Sequence, residues 1–248
     1  MRNVKIIIEY DGTNFSGWQQ QPNGRTVQEE VVKALRKVTG EDIKVNGSGR
    51  TDAGVHAKGQ VANFLTESSI PTPRIPLALN SLLPEDISIL EATDVADDFH
   101  SRYSVIGKRY YYQVLHGCNR RPLLRNYSYH ISKGLDLKLM KEASQLFIGE
   151  HDFKAFMSSG SSVTNTVRKI NKIDFIEDHN LVKMIFSGNG FLYNMVRIMV
   201  GTLIEVGLNK RPLEGIVEAL ETGDRNLAGP TAPPQGLYLD KVFYPLTR

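Results

Sequence analysis

The sequence predicts an α+β protein of two lobes whose sheets are rich in antiparallel pairs. Three observations carry that expectation. Up to Leu90 the elements run strand, helix, strand, strand, helix, strand, which is the ferredoxin-like (RRM-like) order. The 248 residues lie near the limit that one hydrophobic core organises. No internal repeat or low-complexity linker interrupts them, so the second half reads as a variation on the same plan. The boundary is expected near residue 104, with lobes of 1–104 and 105–248.

Residues 4–10 (V-K-I-I-I-E-Y) are rich in β-branched side chains and read as a buried strand. Thr26-Val27-Gln28-Glu29 has the form of a capping box, in which the Thr26 hydroxyl and Glu29 carboxylate satisfy orphan amides at a helix start. Val27, Val31, Leu35 and Val38 then make one apolar stripe, and Gly40 stops the helix. Residues 43–46 and 60–65 are short strands around a glycine-bearing loop. Residues 73–83 form a helix with Pro76 near its first turn, and 87–90 a further strand. In the second half 108–115 and 127–131 are strands. Asp136 caps a helix that turns Leu139, Met140, Ala143 and Phe147 inward. Residues 169–176 and 181–187 flank a hairpin turn at 177–180. Residues 191–206 read as one long apolar helix. Pro212 opens another that ends before Gly223, 229–236 is a Pro-rich loop, and 237–244 is the last strand.

Hydrophobic residues make up 41% and charged residues 23%, a balance that excludes disorder. The single cysteine, Cys118, excludes an internal disulfide and a multi-thiolate zinc site. The histidines lack metal-ligand spacing, and neither G-x-S-x-G nor a P-loop is present. No stretch reaches the ~18–20 uninterrupted apolar residues of a membrane span, and the first residues lack the long apolar run of a signal peptide. A soluble, cytoplasmic protein without metal or membrane is expected.

The net charge of +3 is modest, but its distribution is uneven. Residues 75–101 hold no Lys or Arg and are acidic at Glu85, Asp86, Glu91, Asp94, Asp97 and Asp98. Residues 102–130 hold no Asp or Glu; their cations are Arg102, Lys108, Arg109, Arg120, Arg121 and Arg125. Tyrosines 103, 110, 111, 112, 127 and 129 interleave with them. Basic groups neutralise phosphates and tyrosine rings stack on unpaired bases. Equally, tyrosine is an ordinary strand former. Both readings stand at this point.

The stretch with most chemical content is Asn46-Gly47-Ser48-Gly49-Arg50-Thr51-Asp52-Ala53-Gly54-Val55-His56-Ala57. Three glycines bracket a carboxylate on a loop between strands, where a ligand can approach the backbone closely. Asp52 is either a catalytic carboxylate or a turn residue accepting backbone hydrogen bonds. Arg50 either binds a substrate phosphate or holds the loop. An aspartic-protease reading fails, because no second loop of this kind exists. Arg197 stands in an almost wholly apolar run, with Tyr193 and Gly201 expected on its face of the helix. Its guanidinium sits either at a wet rim or against a carboxylate. Asp52 is the attractive partner, and such a pair would hold that carboxyl ionised.

G-R-T-D-A-G-V-H-A at 49–57, K-R-Y at 108–110 and G-F-L-Y-N-M-V-R at 190–197 resemble the tRNA pseudouridine synthase A family. Gly149-Glu150-His151-Asp152-Phe153 and Ala232-Pro233-Pro234-Gln235-Gly236-Leu237 extend the resemblance over nearly the whole chain. It implies the pseudouridine synthase fold, with an active-site cleft between the lobes. It also implies conversion of uridine to pseudouridine at positions 38, 39 and 40 of the tRNA anticodon stem-loop, without a cofactor and by a homodimer. Asp52 is then the nucleophile, Tyr110 packs on the target base and Arg197 pairs with Asp52. Two competing readings are a non-catalytic RNA-binding protein with ferredoxin-like sheets and a small-molecule enzyme with one catalytic carboxylate.

Overall fold

A computed structural model describes residues 1–160 and 163–245. The chain divides into two units, one of residues 1–106 together with the segment from Tyr238 onward, the other of residues 107–237. The division lies two residues from the boundary expected at 104/105, and the terminal strand goes with the first unit.

In the first unit β1 (Arg2–Tyr10) buries Val4, Ile6, Ile8 and Tyr10 on one face, while Lys5, Ile7 and Glu9 on the other are less covered. The strand is therefore half-buried and alternating. Helix α1 (Val27–Thr39) lays Val27, Val31, Ala34 and Leu35 into the core. It is followed by β2 (Asn46–Gly47), β3 (His56–Thr66), α2 (Ile75–Asn80) and β4 (Ile87–Val95). The sheet order is β4-β1-β3, with β2 on β3, and every one of these pairs is antiparallel. This is the ferredoxin-like arrangement. Strands β3 and β4 run longer than the expected 60–65 and 87–90, the strand expected at 43–46 is reduced to Asn46–Gly47, and one helix is shorter. The helix expected at 73–83 is only six residues long, because a 3-10 turn (Thr72–Arg74) takes its first part. Its end is tied to β4 by the Asn80 side chain, which donates to the Ile89 carbonyl (2.9 Å) and accepts from the Ile89 amide (2.7 Å).

The capping box is not formed. Thr26 stands at the N-cap, but its hydroxyl is buried and makes no hydrogen bond. The first amides of α1 are satisfied by main chain instead: Val27 donates to the Gly17 carbonyl (3.2 Å) and Gln28 to the Trp18 carbonyl (3.0 Å). Glu29 turns outward to Lys33, at 2.7 Å. Loop 11–25 thus caps the helix.

The second unit begins with β5 (Gly107–His116) and β6 (Tyr129–Ile131), which pair in parallel. Helix α3 (Leu137–Gln145) has the expected cap, the Asp136 carboxylate accepting from the Leu139 amide at 2.9 Å. Strand β7 (Gly149–Asp152) was not foreseen; it pairs with β8 (Val167–Asp178). A two-residue turn at His179–Asn180 leads into β9 (Leu181–Gly188), giving the order β5-β9-β8-β7. Helix α4 (Met195–Gly207) is buried along nearly all its length, and α5 (Glu214–Thr222) follows. The helix expected from residue 191 starts only at Met195, because Asn194 adopts a left-handed conformation (φ 59°) that breaks the helical path. Strand β10 (Leu237–Phe243) joins the first unit, where Tyr238 and Leu239 pair in parallel with His56 and Ala57 of β3.

Candidate active site

Asp52 lies in the connection between β2 and β3, and that connection is laced to its own strand. The Ser48 amide donates to the Val61 carbonyl (2.7 Å) and its hydroxyl to Gln60 Oε1 (2.7 Å), while Gln60 Nε2 donates to the Gly49 carbonyl (3.0 Å). Ser48 and Gln60 are both buried. At the tip the Val55 amide donates to the Asp52 carbonyl (3.1 Å), closing a turn whose third position, Gly54, has φ +76°. Asp52 itself is half-buried and Arg50 is exposed. Both belong to the first unit; the loop brings the guanidine-bearing residue and the carboxylate-bearing residue onto one short segment.

A second brace was missed in the sequence. Within loop 11–25 the Trp18 amide donates to the Thr51 carbonyl (3.1 Å), and the Phe15 carbonyl accepts from the Gly54 amide (3.3 Å). The Thr51 hydroxyl meets the Tyr10 phenol at 2.7 Å. His56, just beyond the turn, is buried; its Nδ1 accepts from the Gly12 amide (3.0 Å) and its ring stacks on Tyr238 at 4.7 Å. The loop is in turn held by Arg25, which forks onto Asp86 (2.7 and 2.9 Å) and covers the Phe15 ring at 4.2 Å. Asp52 is therefore flanked on both sides by fixed backbone, the condition for a carboxylate that must act without reorganising. The available signal was Gly17-Trp18, the chain's one tryptophan set beside a glycine ahead of a helix start.

The basic, tyrosine-rich stretch separates residue by residue. Tyr110, Tyr111 and Tyr112 are buried in β5, whereas Tyr103 (77% exposed) and Tyr127 (38%) reach solvent. Tyr110 meets Phe191 edge-on at 5.1 Å. Tyr112 donates its phenol to the Pro233 carbonyl at 2.7 Å. Arg197, the third residue of α4, is half-buried; Nε donates to the Ala232 carbonyl and Nη1 to Asn194 Oδ1, each at 2.7 Å. Arg197 and Tyr112 thus grip the same proline-rich loop. Tyr193 precedes the helix and is 46% exposed, so it does not share a helical face with Arg197. Tyr110 and Arg197 both belong to the second unit. Among the described residues no three His, Cys, Asp or Glu side chains gather as metal ligands.

Burial pushes the Tyr10 phenol well above its ordinary pKa; hydrogen bonds from Thr51 and Gln60 pull it down, and the nearby Asp52 charge adds to the rise. Burial raises Tyr112 likewise, against the opposing charge of Arg197. The unfolded value is ~10. Below it both states keep the proton and stability is full; above it only the unfolded chain ionises. Each phenol should then remove about 1.4 kcal/mol of stability per pH unit. Urea midpoints should stay level to about pH 10 and fall beyond it. A level midpoint through about pH 11.5 would contradict neutral, buried phenols.

Comparison with known proteins converges on one family. The model of the family described as tRNA pseudouridine synthase matches residues 6–104 and 143–245. A Clostridium perfringens protein named tRNA pseudouridine synthase A 2 is 51% identical over 244 residues, covering 98% of this chain and 100% of its own length. A Thermoanaerobacter protein named tRNA pseudouridine synthase A is also 51% identical over 244 residues, with the same coverage. One from Acetivibrio thermocellus is 50% identical over 244 residues, again covering 98% of this chain and 100% of that protein.

Proposed function

The chain belongs to the tRNA pseudouridine synthase family, and on that footing we propose that it isomerises uridine to pseudouridine in tRNA, with Asp52 as the nucleophile. The observation that carries the reading is identity at about half of all positions along nearly the full chain with relatives bearing that name. The braced loop of Asp52 agrees with it. The substrate uridines are those at positions 38, 39 and 40 of the anticodon stem-loop, the cell compartment is the cytoplasm and the working form is a homodimer.

The reaction breaks the bond between N1 of uracil and C1′ of the ribose, turns the base, joins C5 to C1′, releases the C5 proton and leaves N1 protonated in its place. No electrons leave the substrate and no phosphate is cleaved. An ionised carboxylate suits this chemistry, because a covalent intermediate splits one difficult step into two easier ones. The target base must leave its stack, at a cost of a few kcal/mol, and an aromatic wall recovers part of that. Tyr110 is the proposed wall and Arg197 the proposed counter-charge for the carboxylate. Arg50, exposed two residues before Asp52, is the proposed contact to substrate phosphate.

The decisive assay uses tRNA transcripts tritiated at C5 of uracil. The purified protein should release tritium with multiple turnovers and no added cofactor. Stoichiometric binding with no release would return the reading to a non-catalytic RNA-binding protein.

A further inference from the structure

A groove of about 700 Å³ opens on the first unit between α1 and the turn at residues 100–104, and the chemistry above makes no use of it. Arg36 of α1, Lys44, Arg102, His100 and Tyr103 line it, together with Asn46 and Gly47 of β2. Its acids are Glu29, already neutralised by Lys33 at 2.7 Å, and Asp42. Among the described residues Arg36, Lys44 and Arg102 form no ion pair, so the groove presents three such cations against one unpaired acid, Asp42.

Tyr103 is the second observation. An aromatic ring 77% exposed would ordinarily be a mobile surface side chain, but this one stands on an anchored turn. Ser101 beneath it is fully buried. Its hydroxyl donates to the Asn46 carbonyl (2.6 Å), its amide to Asn63 Oδ1 (2.9 Å), and its carbonyl accepts the Tyr244 phenol (2.6 Å). His100 packs against the Tyr103 ring at 4.4 Å, and the Arg102 guanidinium lies 5.9 Å from it. An exposed aromatic on an anchored turn, with a guanidinium beside it, is a preorganised surface for an unpaired base and its phosphate.

Position supplies the third. Gly47, in the groove wall, precedes Asp52 by five residues, so their Cα atoms are at most about 18 Å apart. A strand whose uridine sits at Asp52 has its neighbouring nucleotides within reach of this groove. We propose that the groove holds the RNA strand flanking the target uridine, with Tyr103 stacking a base and Arg36, Lys44 and Arg102 meeting phosphates. The proposal rests on the reading of the protein as a tRNA-modifying enzyme.

The test is equilibrium binding of fluorescent tRNA to the full-length Asp52→Asn protein, which holds the RNA unreacted. Tyr103→Ala should weaken binding about tenfold and Tyr103→Phe, which keeps the ring, by less than about twofold. Arg36→Ala with Lys44→Ala should make the log–log salt slope shallower by about 1.4–1.8, two phosphates' worth. Binding within about twofold for Tyr103→Ala, with an unchanged salt slope in the double variant, would overturn the proposal. So would a fall in sedimenting mass in any of these variants, which would make the groove a contact between two copies. Tritium release by the unsubstituted protein separates the two claims: release without any groove effect removes the groove alone, whereas a groove effect without release leaves the RNA site and removes the isomerase.

Discussion

Asp52→Asn is expected to lower tritium release by at least about 10⁴-fold, the scale seen when a reacting group is removed from an otherwise intact site. The expectation follows from what the substitution spares. The loop is fixed by main chain on both sides, Trp18 to Thr51 (3.1 Å), Gly54 to Phe15 (3.3 Å) and Val55 to the Asp52 carbonyl (3.1 Å), and none of these bonds uses the carboxylate. Asparagine has the same shape and can keep the turn. Only the negative charge and the nucleophilic oxygen are lost. Affinity for tRNA should therefore change by less than about threefold, because phosphates are met by cations elsewhere. Single-turnover tritium release and equilibrium tRNA binding, measured on one preparation, check both halves. Release within tenfold of the unsubstituted protein would remove Asp52 from the chemistry. Loss of binding in parallel with release would instead make it a folding or contact residue.

The sequence disclosed what is encoded locally. The stripe of Val27, Val31 and Leu35 and the Asp136 cap involve neighbours one or two turns apart, and both are present in the structure. The Asp52 loop was conspicuous because glycines and a carboxylate are adjacent in sequence. Features that depend on distant partners were hidden. Loop 11–25 braces residues 51–54 across more than thirty positions, and no periodicity announces such a contact. The capping box failed for the same reason: the carbonyls of Gly17 and Trp18 reached the helix amides before the Thr26 side chain could. Tyr110, Tyr111 and Tyr112 offered a third ambiguity, since rings that pack a strand and rings that stack on bases are spelled alike. Burial parts Tyr103, exposed on an anchored turn, from the three rings covered in β5, of which Tyr110 keeps its proposed place against the base.

Gly17→Ala is the substitution expected to damage fold and site together. Gly17 has φ +99°, a backbone conformation that costs an L-residue ~1–3 kcal/mol. A Cβ there would also stand 2.5 Å from the Thr51 carbonyl oxygen and 3.2 Å from the Asp52 carbonyl carbon. Neither side yields easily. The Gly17 carbonyl accepts from Val27 at the head of α1 (3.2 Å), and the Thr51 carbonyl is held by the Trp18 amide (3.1 Å). The combined loss should reach ~2–6 kcal/mol, since overpacking against backbone adds ~1–3 kcal/mol to the strain. Gly40 supplies the comparison: its φ is +76°, yet a methyl group there would meet nothing within 4 Å, so Gly40→Ala bears the strain alone, ~1 kcal/mol. Urea unfolding of the two variants side by side separates strain from collision. Tritium release by the folded fraction should also fall in Gly17→Ala and not in Gly40→Ala, because only the former displaces the backbone of Thr51 and Asp52. Equal destabilisation in the two variants, with activity kept in both, would mean that loop 11–25 does not position the carboxylate.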